Sequence, residues 1–488
     1  MKLSWTANNY WLARLVFQRG LALVYLIAFL NALNEFKPLL GENGLLPVPH
    51  WVRLVPFRAS PSLFYLVPRD WAFLAGAWLG IALSLVALAG LAERLATPFA
   101  AIVWGALWIL YLSFVNVGQT FYGFGWESIL LEAGFYSIFL GSRSVAPQMA
   151  NIVMLRWLCF RVMFGAGLIK LHGDPCWRNM TCLDYHYQTQ PMPNPLSWYF
   201  HWGPEWSHHA GVWVNHFAEL AAPFGLLLPQ PLASIAALAI VVFQGLIMAT
   251  GNLSWLNLLT MVLAIPALDD RVLRAVWRVA TPDLQAPAPV HKIVVGLLMV
   301  LVIALSIRPI GNMISPEQVM NTDYNPLHLV GTYGAFGGIT RTRYEVVVEG
   351  TADESPGPET QWREYQFRGK PTALNRQPPQ IAPYHLRLDW LMWFAAMSDY
   401  AQEPWFVHFM GKLLEGDRDT LGLLRGNPFP QRPPRFVRAE LYQYEFTTPQ
   451  ERRQTGNWWK RQYVRQYFPQ VSLQNEDLQR VFHDEGWK

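Results

Sequence analysis

The sequence predicts an α-helical polytopic membrane bundle of about nine spans, followed by a C-terminal extracytoplasmic α+β domain of β-sandwich-like build. Two observations carry this. The 488 residues are 52% hydrophobic and only 15% charged, against about 25% charged in an ordinary soluble domain. The charge is also unevenly placed. Residues 1–309 hold 18 basic and 13 acidic residues, whereas the 179 that follow hold 20 and 21. This pattern excludes a purely soluble enzyme and a disordered chain. Three cysteines exclude a disulfide-dense scaffold, and a net charge of +4 with no basic block gives no reason to expect nucleic acid.

A bilayer core of about 30 Å needs roughly 20 apolar residues per helix. Nine segments qualify or nearly do: 11–33, 71–91, 98–117, 123–141, 149–171, 212–228, 232–250, 253–268 and 290–309, the sixth and eighth being short. The first follows Lys2, Arg14 and Arg19 with no small-residue cleavage site after it, so it reads as an anchor and not as a signal peptide. With the N-terminus inside, the inner loops and helix ends carry Lys2, Arg14, Arg19, Arg94, Arg143, Arg271, Arg274, Arg278 and Lys292. The outer ones carry Lys37, Arg53, Arg58, Arg69 and Arg178. The excess sets the orientation. Nine spans then place residues 311–488 outside the cytoplasm, as a soluble domain after a bundle of residues 1–310.

Two outer loops are long, 34–70 and 172–211. The second is rich in aromatic residues, which gather at membrane interfaces because an apolar ring carries a polar handle. Trp177, Tyr185, Tyr187, Trp198, Trp202 and Trp206 are therefore expected to form an interfacial lid or a client-facing wall. Cys176 and Cys182 in this loop can close a disulfide in an oxidising compartment. Cys159, within a helix, reads as inert core.

In the tail, 341–349, 361–368 and 435–448 alternate as strands, while 385–400 and 404–416 read as helices. GTYGAFGG (331–338) has no following Lys-Ser/Thr and precedes a strand, so it reads as a connection and not a phosphate loop.

Charges inside a membrane are costly and usually face a bundle interior. Glu127, Glu132, Arg156, Arg161, Lys170, His216 and Glu219 all fall in expected spans. At about 100° per residue, Arg156 and Lys170 share one stripe of their helix, and Arg161 and His172 another. A network pairing Glu127 or Glu132 with Arg156 or Arg161 is expected. Lys170, with His172 or a carboxylate assisting, is the candidate for chemistry, because a desolvated lysine can serve as a base. His208, His209, His216 and Glu219 match no zinc or di-iron spacing, so no metal and no cofactor is expected.

These residues bring a family into view. The stretches GENGLLPV, YGFGWESILLEAGF (122–135), LRWLCFRVMFGAGLIKLHGDPCWRNMTCLDYHYQTQPMPNPLSWYFH, NHFAELAAPF, YGAFGGITRTRYEVVVEGT, PPQIAPYHLRLDWLMWFAA and NWWKRQY resemble the lipase maturation factor family almost end to end. The resemblance implies a polytopic membrane chaperone or assembly factor, not a hydrolase. Its partners would be membrane lipid and an exported client protein, a lipase in animal relatives. It implies the endoplasmic reticulum membrane for an animal chain. The short loops and a Gly-Trp-Lys ending in place of a Lys-Asp-Glu-Leu type tail point to a bacterial inner membrane. MFGAGLIKLHGDPCW is also similar to the helix of the vitamin K-dependent carboxylase superfamily that carries a catalytic lysine. That likeness implies the alternative of a membrane enzyme using Lys170 as a base on a lipid-soluble or peptide substrate.

Overall fold

A computed structural model describes residues 6–94 and 96–484; Lys2 and the terminal Gly486–Lys488 lie outside the described residues. Among the described residues six helices are long and apolar enough to cross a membrane: Asn8–Leu40, Asp70–Leu88, Thr97–Val117, Met149–His172, Leu232–Thr250 and Pro289–Ile314. We label the bundle helices α1 (Trp11–Leu40), α2 (Asp70–Leu88), α3 (Thr97–Val117), α4 (Gly125–Ser137), α5 (Met149–His172), α6 (Glu205–His216), α7 (Leu232–Thr250), α8 (Leu256–Ala264) and α9 (Pro289–Leu305).

The first helix runs seven residues past its expected end. Its Pro38 sits in the last turn, and the helix stops at Gly41. At 1.5 Å per residue its 30 residues span about 45 Å, well beyond a hydrocarbon core of about 30 Å. Its outer turns, with Asn31, Glu35 and Lys37, are thereby carried to the level of the tail domain. Helix α2 lies close along α1 because a Cβ at Gly80 would overlap the Phe29 ring. Three elements are short. Helix α4 has 13 residues, about 20 Å. Helix α6 continues through a π turn, Phe217–Ala221, into Ala222–Leu226, and α8 through a tight turn to Ala267.

One end of the bundle is closed by polar contacts among distant loops. Asp270 Oδ1 accepts from the Leu12 and Ala13 amides at 2.9 and 3.1 Å, capping α1. Arg14 Nη1 donates to the Val145 carbonyl at 2.9 Å. Gln230 Nε2 donates to Tyr10 Oη and to the Ala267 carbonyl at 3.1 and 2.8 Å. At the other end Asn252 donates to the carbonyls of Pro193 and Pro379 and accepts from the Ile381 and Ala382 amides.

The tail holds β1 (Arg343–Thr351), β2 (Arg363–Glu364), β3 (Phe436–Phe446) and β4 (Trp459–Val471) in one antiparallel sheet of order β2-β1-β3-β4. Helices α10 (Arg387–Ala395) and α11 (Pro404–Glu415) precede β3. The expected sandwich is corrected to a single open sheet. Its inner face, Val346, Val348, Leu441 and Ala439, joins the same apolar core as α10 and α11. Its outer face is covered in part by the bundle's own loop, through Trp198 against Val347, Tyr444 and Trp459. Both faces thus find cover without a second sheet. The strand expected over 361–368 shrinks to two residues, because after Tyr365 the chain turns to pair Gln366 with Gly426. Strand β4 was not expected. Its residues from Lys460 to Gln466 are largely exposed, and its ladder with β3 is interrupted by register shifts, so the alternation that marks a strand is lost.

Candidate functional site

The polar residues of the bundle resolve into separate pairs and not one network. Arg161 pairs with Glu132 and donates to the Gly331 carbonyl at 2.7 Å. Tyr333 Oη donates to Glu132 Oε2 at 2.7 Å. Arg161 and Glu132 thus hold the Gly-rich segment 331–338 as a strap along α5. Side chains at Gly165 or Gly173 would collide with the strap carbonyls of Tyr333 and Gly337. Those two glycines therefore admit a backbone strap, while Gly167 faces Glu219 and Leu220 of the π turn.

Arg156 meets no carboxylate among the described residues. It donates to the Pro266 and Leu226 carbonyls at 3.1 and 3.4 Å and lies over the Tyr10 ring. Glu127 takes its partner from the tail. Arg387 of α10 reaches it at 2.8 Å, with the Tyr111 hydroxyl also donating to it. Arg387 further donates through Nε to Asn31 Oδ1 and through Nη1 to the Phe121 carbonyl, both at 2.6 Å. Its amide donates to Glu35 at 2.9 Å, and its guanidinium lies 3.5 Å over the Tyr122 ring.

Lys170 Nζ donates to Glu219 Oε1 and Oε2 at 2.6 and 2.7 Å and to Asn215 Oδ1 at 2.8 Å. It also sits 4.8 Å over the Trp177 ring. The π turn matters here, since it begins two residues after Asn215 and carries Glu219. His172 is exposed on the last turn of α5. Residues two positions apart on a helix point about 200° away from each other, so the structure does not bring His172 to Lys170. His216 Nε2 donates to the Trp177 carbonyl at 3.0 Å. His208 pairs with Asp184 at 2.7 Å, and the half-buried His209 lies 3.9 Å from Glu205. Among the described residues no group of three or more His, Cys, Asp or Glu is placed to hold a metal ion.

Cys176 and Cys182 are joined and buried with Trp177, Val212 and Ile339. Next to them Asp174 accepts from Arg341 at 2.7 and 2.9 Å, and this guanidinium pulls its carboxyl below the usual range. The aromatic loop differs from an open lid. Trp177, Tyr187 and Trp198 are buried, and Tyr185 lies under Arg341. The indoles of Trp198 and Trp202 both donate to the Thr447 carbonyl, at 2.8 and 3.0 Å. The loop docks the tail domain because its N–H groups find carbonyls there. Only Trp202 and Trp206 of the six remain exposed, at 41% and 72%.

Between α5, α6, α7, α8 and α10 lies a chamber of about 1050 Å³ with Lys170, Asn215 and Glu219 on its wall and the strap along one side. Sequence reasoning missed Arg387, Asn31, Glu35, Asn215 and Tyr333. The signal for Arg387 was a cation spaced by leucines in the largely apolar HLRLDWLMW, beside His385 and Asp389.

The bundle and tail, with this junction between them, can be set against known proteins. The sequence model of the lipase maturation factor transmembrane domain matches residues 12–275, and that of the lipase maturation factor C-terminal domain matches residues 329–469. The chain belongs to the lipase maturation factor family. Among relatives of this family member, lipase maturation factor 1 of Homo sapiens is 42% identical over 98% of this chain and 91% of its own length. Lipase maturation factor 1 of Bos taurus is 40% identical over 99% and 92%. Lipase maturation factor 2 of Xenopus laevis is 30% identical over 98% and 85%. No solved structure matches. This family member is a multi-pass membrane protein with a distinct C-terminal domain outside the cytoplasm. The Cys176–Cys182 bond lies on the tail's side of the bundle, as an oxidising compartment requires.

Proposed function

We propose that this lipase maturation factor family member helps exported polypeptides of the lipase class to reach their folded state, as a non-catalytic membrane factor. The observation that carries the reading is the end-to-end likeness to a protein named for lipase maturation. Trp202, which donates to the Thr447 carbonyl of the tail, and Trp206 on α6 are both exposed and supply the apolar contact for a partly folded client. In cells producing a secreted lipase with this protein, the double change Trp202→Ala/Trp206→Ala is expected to cut secreted lipase activity about tenfold, equivalent to ~1.4 kcal/mol of client affinity. The factor's own level should stay unchanged. Unaltered lipase activity would remove these residues from the client surface.

The enzyme reading has Lys170 on the chamber wall in its favour. Against it, each of the three ammonium hydrogens has an oxygen to reach, which is the geometry of a charged partner and not of a free base.

The nine crossings and the division at residues 310 and 311 belong to the same proposal. They are supported by the two sets of end contacts: Tyr10, Gln230 and Ala267 meet at one end, Pro193, Asn252 and Pro379 at the other. Reporter fusions at Pro229 and Pro282 should read cytoplasmic and a fusion at Lys488 extracytoplasmic. A cytoplasmic Lys488 would break the nine-span count.

A further inference from the structure

We infer that the chamber at the bundle–tail junction holds one uncharged membrane lipid of the diacylglycerol kind. Three observations lead there. The first is size. Folded interiors leave few voids larger than a water molecule, and pockets that take drug-sized molecules run to about 1,000 Å³. A chamber of about 1050 Å³ lined mainly by side chains such as Val162, Phe243, Leu253 and Trp390 is a ligand-sized space and not a packing gap.

The second is where the chamber opens. Val214 of α6 and Leu246 of α7 line it, and are also 44% and 50% exposed. Both belong to helices of the bundle. On that side the chamber faces hydrocarbon, so what enters there is already dissolved in the bilayer, while Tyr199, Phe200 and Phe394 line a second exposed side toward the loop and tail. Trp206, also on the lining and exposed, lies on the outer side of the Val214–Leu246 opening, where an indole suits the headgroup level.

The third is charge. Lys170 is the one lysine or arginine among the described lining residues, and Glu219 neutralises it at 2.6 Å. His186 is kept neutral at pH 7, since burial and then the Lys170 charge push it down to about 4. Glu403 accepts from Ser398 and Trp405 at 3.0 and 2.6 Å. No cation is left over for a phosphate, so a phospholipid headgroup would enter without a counter-charge, at a desolvation cost. A lipid with ester and hydroxyl groups alone carries no such cost.

The test uses the full chain purified in dodecyl maltoside, with dioleoylglycerol as the probe and dioleoylphosphatidylglycerol as the anionic control of equal chain length. Thermal unfolding is followed with each, for the native chain and for Val214→Trp, which plugs the mouth from a lipid-facing position. Dioleoylglycerol is expected to raise the native midpoint by ~3 °C or more, the anionic lipid to leave it within a degree, and Val214→Trp to lose the response. Mass spectrometry of lipid carried through purification should find about one uncharged glyceride per chain, and several-fold less in Val214→Trp and in Ala166→Trp. Equal shifts with both lipids, no shift with either, or a carried lipid pool matching the host phospholipids would overturn the inference. The monodisperse elution of Val214→Trp is the folding check. Should that variant misfold, the native chain's choice between the two probes still decides. None of these readouts involves a lipase, so the inference and the client reading fail separately.

Discussion

Replacing Arg387 with alanine is expected to release the C-terminal domain from the helix bundle. The guanidinium is fully buried and joins four partners from three parts of the bundle: Asn31 of α1, the Phe121 carbonyl and Tyr122 ring ahead of α4, and Glu127 of α4. Truncation leaves Glu127 charged, buried and without its cation. Breaking a buried pair in this way costs about 3–5 kcal/mol. The neighbouring His385 cannot readily substitute, because burial, the larger of the two causes that push it well down, remains when the Arg387 charge is gone. Arg387→Lys should recover little, since a point charge cannot reproduce the planar fork that spans Asn31, Phe121 and Glu127. The measurement is limited proteolysis of the connection around 315–340, which should become rapid in the variant. A cleavage pattern equal to the native one would refute the keystone role of this residue.

Removing either member of the Lys170–Glu219 pair is expected to be as damaging, and removing both much less so. Each single change, Lys170→Met or Glu219→Met, strands a charge whose side chain is about 5% exposed, at about 3–5 kcal/mol. The double change Lys170→Met/Glu219→Met leaves an apolar site of similar volume, and such replacements are often close to neutral. The unfolding midpoint in detergent reads the stability arm and secreted lipase activity the functional arm. Recovery of both in the double variant makes the pair structural. A stable double variant with no activity would instead return chemistry to Lys170.

The membrane part of this protein was legible because apolar composition over about twenty residues is a strong local signal. The helix Leu232–Thr250 begins and ends where its hydropathy says it should. The pairing of charges was not legible, for reasons visible residue by residue. Arg156 donates to two backbone carbonyls, of Pro266 and Leu226, which no residue type announces. The cation of Glu127 comes from position 387, in a domain read from sequence as separate. Lys170 and Glu219 were each singled out, yet their meeting depends on the π turn that carries Glu219. The aromatic loop was recognised as unusual, but its density in Trp and Tyr serves burial against β3 and β4 as much as exposure. In the sheet, β4 was hidden by register shifts that break its period of two.

The extra length of α1 has a consequence for how the protein is made. Asn31 and Glu35 leave the ribosome first and wait for Arg387, 356 and 352 positions later in the chain. Contacts of such long range form last, after their loop-closure entropy has been met by everything between. Throughout synthesis the oldest helix therefore stands with a carboxylate and an amide unsatisfied at its outer tip. Only a chain translated past Arg387 can cover them. Seating of α10 on α1 thus waits for most of the chain to be made. A product ended before Arg387 would keep that polar tip bare.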